Sequence, residues 1–256
     1  MAFITFLGTG GGRFVLLSQK RASAGIWFGL EDADAIVDPG PGAIIKAWDA
    51  GLSPMSLDCV ISTHNHLDHY GDVEVMLEAM THGLRASYGL LAMQADVEPY
   101  ISEYHRQRAN TLIMEEGQDL MIGKTRCTPI PTLNHAGGLG LRIAHGSGDI
   151  VYSADTDYDG TLISHYCGAR VLILNTIFPK GRMSPTHLNT DDAIKIAGQA
   201  RPELLVMTHF GVRMLNMGPR EQAAMVEKET GIKTVAAYDG ARLDLGTLQI
   251  SQSIRP

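Results

Sequence analysis

The sequence predicts an α/β protein in which two sheets pack face to face with helices on their outer faces. Three observations carry that prediction. Short apolar strands recur in both halves of the 256 residues, and helix-like segments follow each set. Glycine and proline punctuate the N-terminal strands, at residues 8–12 and at Asp38-Pro39-Gly40-Pro41-Gly42. No composition break, low-complexity run or Pro/Ser-rich linker interrupts the chain, so residues 1–256 are expected to form one domain.

Residues 2–7 read as a strand stopped by Gly8-Thr9-Gly10-Gly11-Gly12. Residues 25–30 and 35–37 read as two more, the latter ending in the Asp38-Pro39-Gly40 turn sequence. Residues 43–50 look helical, and residues 57–62 form a short apolar run typical of a buried strand. Helical spacing is expected over 72–82 and over 91–108. Strands are expected near Met121 and over 126–130, 139–144 and 150–152. Residues 171–174 are continuously apolar and read as a strand. Residues 190–200 form an amphipathic helix with Asp191 and Asp192 in its first turn, where the helix dipole favours acids. A buried strand over 204–207, a helix over 220–230 and strands over 235–238 and 243–250 complete the chain.

Within Ser62-Thr63-His64-Asn65-His66-Leu67-Asp68-His69-Tyr70-Gly71, three imidazoles and a carboxylate share six positions. Neutral imidazole and ionised carboxylate are the ligands a borderline cation such as Zn²⁺ prefers, at roughly 2.0–2.2 Å. The cluster leaves the end of a strand, where a rigid sheet can aim side chains into a cleft. In an extended stretch His64 and His66 point the same way. They can grip one ion while Asp68 and His69 reach a second. Solvated or capping histidines would not require such density. Three further ligand types stand just past apolar strands: His135, Asp155 and His209. Singly, each would pass for a satisfied core residue. With the first cluster they supply two nearly complete coordination spheres, with Asp155 as the natural bridging carboxylate and Asp157 as the alternative.

The formal net charge of -7 argues against non-specific binding to nucleic acid or an anionic membrane, while leaving room for a local basic site. Cys59, Cys127 and Cys167 form no CxxC pair and suggest no disulfide framework, so buried reduced thiols are expected. The N-terminus lacks the pattern of a signal peptide, and no run approaches 18 apolar residues. A cytoplasmic protein without a membrane partner is expected.

The pattern His64-x-His66-x-Asp68-His69, then His135, Asp155 and His209, resembles the full ligand set of the metallo-β-lactamase superfamily. Phe6-Leu7-Gly8-Thr9-Gly10-Gly11 and Ile36-Val37-Asp38-Pro39-Gly40 resemble the opening of its phosphodiesterase branch, which includes ribonuclease Z. His187-Leu188-Asn189-Thr190-Asp191-Asp192-Ala193, leading to Leu205-Val206-Met207-Thr208-His209-Phe210, resembles that branch's late histidine loop and final ligand strand. Tyr238-Asp239-Gly240 is similar to the end of the small cyclic-nucleotide phosphodiesterases. The resemblance implies a four-layer αββα sandwich and two divalent metal ions, zinc first, with Mn²⁺ or Fe²⁺ as alternatives. It places His64, His66 and His135 on one ion, Asp68, His69 and His209 on the other, and Asp155 between them. Asp38 would accept a ring N–H from a ligating histidine; the competing reading is simple turn formation before Pro39.

A pair of cations roughly 3.5–4 Å apart can hold a bridging hydroxide at neutral pH and clamp phosphate oxygens. Asp68 and His187 are the catalytic candidates. Asp68 can orient the hydroxide, and His187 can contact phosphate or protonate the leaving oxygen. The alternative for His187 is a neighbour of a helix cap, since Asn189 or Thr190 is placed to cap the helix that follows. The glycines at 8–12 lack the spacing and context of a nucleotide-binding loop, so a tight turn at the metal rim is expected. His82, His105, His145 and His165 have no companion ligands and are expected at the surface.

The resemblance also narrows the chemistry. His66 stands where redox di-iron relatives carry glutamate, and Asp155 where antibiotic-hydrolysing members carry cysteine. Hydrolysis of something other than a β-lactam is therefore implied. Ribonuclease Z needs a long arm to hold tRNA, whereas the stretch between His135 and Asp155 has room only for a hairpin through Gly146-Ser147-Gly148. A small phosphodiester substrate, a cyclic nucleotide or cyclic ribose phosphate, is expected, and folded RNA is not. A thioesterase of glyoxalase II type, a tRNA 3′-end endonuclease and a retired binding module are the competing functions. Residues 78–119, with Tyr88, Tyr100, Tyr104, Arg85, Arg106 and Arg108, say least about themselves. An ordinary helical cover is preferred there over a substrate mouth or the dimer face of a homodimer.

Overall fold

Three apolar clusters separate four layers, as the alternation of strands and helices implies. The computed structural model describes residues 2–135 and 137–252. The first half holds strands β1 (Phe3–Phe6), β2 (Ile26–Gly29), β3 (Asp34–Val37), β4 (Cys59–Ser62), β5 (Leu90–Met93) and β6 (Asn110–Ile113). Its helices are α1 (Arg13–Ser18), α2 (Ala43–Asp49), α3 (Leu67–Tyr70), α4 (Val73–Met80) and α5 (Glu103–Arg106). In the second half follow β7 (Leu120–Ile122), β8 (Thr125–Pro131), β9 (Leu139–Ile143), β10 (Ile150–Tyr152), β11 (Val171–Phe178) and β12 (Leu188–Asn189). The remaining strands are β13 (Leu204–Thr208), β14 (Thr234–Ala236), β15 (Ala241–Asp244) and β16 (Ile250–Gln252). Helices α6 (Ile163–Tyr166), α7 (Thr190–Ala200), α8 (Val212–Met217) and α9 (Pro219–Thr230) lie between them.

One sheet runs β16-β15-β1-β2-β3-β4-β5-β6, the other β14-β13-β11-β10-β9-β8-β7 with β12 beside β11. Successive residues of a strand point to opposite faces, and here each face is covered. In β3, Ala35 and Val37 enter the core between the sheets, while Ile36 packs outward beneath α2 and α4. In β11, Val171 and Ile173 face the inter-sheet core, while Leu172 and Leu174 face α7 and α9. That double cover is why these strands read as unbroken apolar runs. Each fully buried aliphatic side chain contributes about 1.5–3 kcal/mol. The αββα sandwich is therefore the observed architecture.

Helix α7 starts where expected because Asn189 and Asp192 form a reciprocal cap. Asn189 Oδ1 accepts from the Asp192 N–H at 3.1 Å, and Asp192 Oδ2 accepts from the Asn189 N–H at 3.3 Å.

Three expectations fail. The helix over 91–108 is instead β5, a 3₁₀ segment at Ala95–Tyr100 and the one-turn α5. Leu90, Leu91, Ala92 and Met93 are good helix formers, but burial between β4 and β6 overrides propensity, and Pro99 cannot donate within a continuing helix. Residues 243–250 form two strands, because Asp244 Oδ1 accepts from the Thr247 N–H and Oγ1 and closes a turn. Cys59 and Cys127 are buried, but Cys167 is exposed, having fallen at the surface end of α6. Among the described residues no helix is long and apolar enough to cross a membrane.

Candidate metal centre

The parallel part of each sheet delivers functional side chains to one rim. Asp38 follows β3, His64 follows β4, Asp155 follows β10 and His209 follows β13, all at carboxyl ends. Open sheets bind ligands at that end. Four residues there, Asp38, Asn134, Ala154 and His209, have φ between +51° and +59°. Such left-handed turns are sparsely populated by non-glycine residues. They redirect the chain abruptly, which brings the side chains beyond each strand back over the cleft.

Two groups result. One candidate ligand atom from each of His64, His66, His135 and Asp155 lies within 4.8 Å of the others, and the same holds for Asp68, His69 and His209. Asp155 joins the groups. Its Oδ2 stands 3.6 Å from His69 Nε2, 3.6 Å from His135 Nε2 and 3.9 Å from His64 Nε2. Its Oδ1 stands 3.1 Å from His209 Nδ1, without hydrogen-bond geometry. All seven ligand candidates of the sequence analysis therefore meet, and Asp157 does not join them. Asp157 accepts instead from Asn134 Nδ2 at 3.0 Å. Among the described residues no other such group of three exists, so His82, His105, His145 and His165 stand apart. Of these only His82 is exposed; the other three, expected at the surface, are half-buried.

Hydrogen bonds on the far nitrogens fix which way the rings point. His135 Nδ1 donates to the Thr186 carbonyl at 3.0 Å, and His69 Nδ1 lies 2.9 Å from Asp38 Oδ2. Each bond leaves Nε2 turned inward. Inside, His64 Nε2 and His66 Nδ1 are 3.1 Å apart, and His69 Nε2 and His209 Nε2 are 3.0 Å apart. Ring nitrogens packed this closely around a common centre suit a shared cation, which takes the place of any proton between them.

Electrostatics agree with that donor set. Burial, opposed in part by Asp155, holds His64 and His66 below the usual imidazole range and His135 at about 4. These rings stay neutral and able to ligate. Burial alone would raise Asp68 and Asp155, but the surrounding histidines outweigh it and hold both carboxyls well below their ordinary value. Burial would lower His69, yet Asp38, Asp155 and Asp68 together hold it well above the usual range. A nest of carboxylates that charges a buried imidazole is a nest that attracts cations.

A family model described as a beta-lactamase superfamily domain matches residues 35–210. The chain belongs to the metallo-β-lactamase superfamily. An uncharacterized protein of Methanocaldococcus jannaschii is 33% identical over 254 residues, covering 94% of each chain. The metallo-beta-lactamase fold protein YhfI from Bacillus subtilis superposes with a TM-score of 0.80 at 24% identity, over 94% of this chain and 98% of that one. A diphosphatase from the PhnP family superposes with a TM-score of 0.70 at 18% identity, over 94% and 96%. This superfamily member is accordingly a metal-dependent hydrolase, with His/Asp groups fit to hold its metal.

Around the candidate ligands lies a shell that the sequence only partly disclosed. Asp38 was expected there. It takes four donors: the Thr63 N–H at 2.8 Å, Thr63 Oγ1 at 2.8 Å, His69 Nδ1 and the Tyr152 hydroxyl at 2.9 Å. Tyr152 and Asn175 were missed. Asn175 Nδ2 donates to Asp155 Oδ1 at 2.7 Å and to the Tyr152 hydroxyl at 3.0 Å. A lone amide inside the apolar run of β11 was the available signal. The glycine loop does form the rim: the Gly12 N–H donates to Asp68 Oδ2 at 2.8 Å. A Cβ on Gly11 would lie 2.4 Å from the His209 ring.

His187 enters the site as well. Its Nε2 is 3.5 Å from Asp155 Oδ2, and its ring packs edge-on against His135 with centroids 4.6 Å apart. Thr186 holds both histidines, with its carbonyl on His135 and its Oγ1 2.8 Å from His187 Nδ1. The cleft that His187 faces encloses about 590 Å³ and is lined by His66, Asp68, Tyr70, Tyr100, Asp155 and His187. Tyr100, within the uninformative stretch 78–119, thus reaches the mouth.

Proposed function

We propose that this metallo-hydrolase cleaves a small phosphodiester, a cyclic nucleotide or a cyclic ribose phosphate. The observation that carries the reading is His187, whose Nε2 faces Asp155 at the floor of the cleft while its side chain stays 21% exposed. Two divalent cations, zinc first, would be held by His64, His66 and His135 and by Asp68, His69 and His209, with Asp155 shared. When bound, such a pair supplies an attacking water made acidic near neutrality and positive charge for phosphate oxygens. Asp68, fixed by the Gly12 N–H through Oδ2, would accept a hydrogen bond from the attacking water and orient it. His187, steered by Thr186, contacts the phosphate and gives its Nε2 proton to the leaving oxygen.

Substrate size follows from the surroundings. Only a short turn joins β9 to β10, which supports a small ligand over folded RNA. The shared fold of the PhnP-family diphosphatase is in keeping with phosphate chemistry. The test compares turnover of bis-p-nitrophenyl phosphate with that of an acyl-glutathione. Hydrolysis of the former with little of the latter is expected. The reverse order would replace this reading with a thioesterase, and neither activity at full metal content would favour a binding module.

A further inference from the structure

A second groove adjoins the metal cleft and has no part in the reading above. It encloses about 700 Å³, is lined by Arg13, Phe14, Lys20, Phe178, Arg182 and Arg213, and shares Gly12, Arg13 and Ile177 with the cleft. No acidic side chain lines it. Among the described residues none of its four cations enters an ion pair; Arg182 lies over the Phe178 ring at 6.0 Å instead. The chain as a whole carries 28 acidic and 21 basic residues, so this gathering runs against its balance. Like charges collected without counterions repel, and an anion placed among them relieves that repulsion. Phe178 links the two spaces, since its ring stands 6.3 Å from His187. Phe14 is 79% exposed on the same groove. Guanidinium groups beside aromatic faces hold phosphate and base together.

We propose that this groove is a subsite for a second phosphate of the substrate, which makes the preferred substrate a phosphodiester of the nucleotide class bearing a further phosphate. The proposal rests on the phosphodiesterase reading and narrows it. Arg182 and Arg213 hold the distal phosphate, Phe178 or Phe14 offers a ring face to the base, and the scissile group lies at the cleft. Calorimetric titration with adenosine 3′,5′-bisphosphate and adenosine 3′-monophosphate tests this. One added pair of charge-assisted contacts should make the bisphosphate roughly 10–100-fold tighter. In the double variant Arg182→Ala/Arg213→Ala that ratio should fall close to one. Equal affinities in the unaltered protein, or a ratio that survives the double substitution, would overturn the subsite. So would inorganic phosphate binding the groove as tightly as the bisphosphate, which marks a free-anion site. Oligonucleotide binding indifferent to a terminal phosphate would also overturn it. Preference for the bisphosphate without hydrolysis of any phosphodiester would sink the functional reading but keep the subsite; hydrolysis without that preference would do the opposite.

Discussion

Asn175 donates its side-chain N–H to Asp155 at 2.7 Å, so the carboxylate placed to serve both metal groups is aimed by an amide on a neighbouring parallel strand. Asn175 also donates to the Tyr152 hydroxyl, and Tyr152 in turn donates to Asp38. Burial and the nearby Asp38 push the Tyr152 phenol well above its ordinary value, so it remains a donor. A continuous chain thus runs from the shared carboxylate to the acceptor behind His69. Replacing Asn175 with Leu should weaken metal binding about 10–100-fold, the usual effect of losing such a partner. Chelator competition measures it, and unchanged affinity would show that Asp155 holds its position unaided.

Removing a proposed ligand should be more severe. His66→Ala or Asp155→Ala should abolish phosphodiester hydrolysis while far-UV circular dichroism stays native. The apolar clusters that hold the sheets together do not depend on either side chain. Full activity in either variant would defeat the proposed mechanism.

For His187→Ala, turnover should fall about 10²–10⁴-fold, the range for a lost general acid. Metal content should remain intact, since Asp155 and His135 keep their other partners. Loss of metal in that variant would instead place His187 among the ligands.

Gly11→Ala probes the rim. The new methyl group would collide with the His209 ring, which is itself buried against His69 and Asp155. Overpacking of this kind costs about 1–3 kcal/mol. Here it should appear as displaced His209, lower metal occupancy and a lower melting temperature. A variant with native occupancy and melting would mean that the loop yields freely.

Chelator-stripped protein should lose stability on acidification. His64, His66 and His135 bind protons less readily folded than unfolded, His135 only at about 4. From the unfolded value near 6.5 down toward 4 the unfolded chain therefore takes up more protons, and falling pH favours it. His69, raised when folded, acts in the other direction, and its contribution fades only as pH climbs above 6.5. The melting temperature of stripped protein should accordingly drop between pH 6.5 and 4. A flat profile across that window would contradict the burial of these rings.

The candidate ligand types, most of the strands that carry them and the layer plan were legible in the sequence. His64, His66, Asp68 and His69 are close along the chain, and short apolar strands followed by helices in both halves point to two sheets with helices outside. Packing of the whole chain makes 90–93 a strand, because lateral pairing with β4 and β6 outweighs the helical preference of Leu and Met. It alone joined Asn175 to Asp155, and Arg182 to the groove shared with Arg13, since those partners lie far apart in sequence and no local pattern records which strand ends meet. Local propensity is written residue by residue; the convergence of side chains depends on how the sheets align, and that is a property of the packed whole.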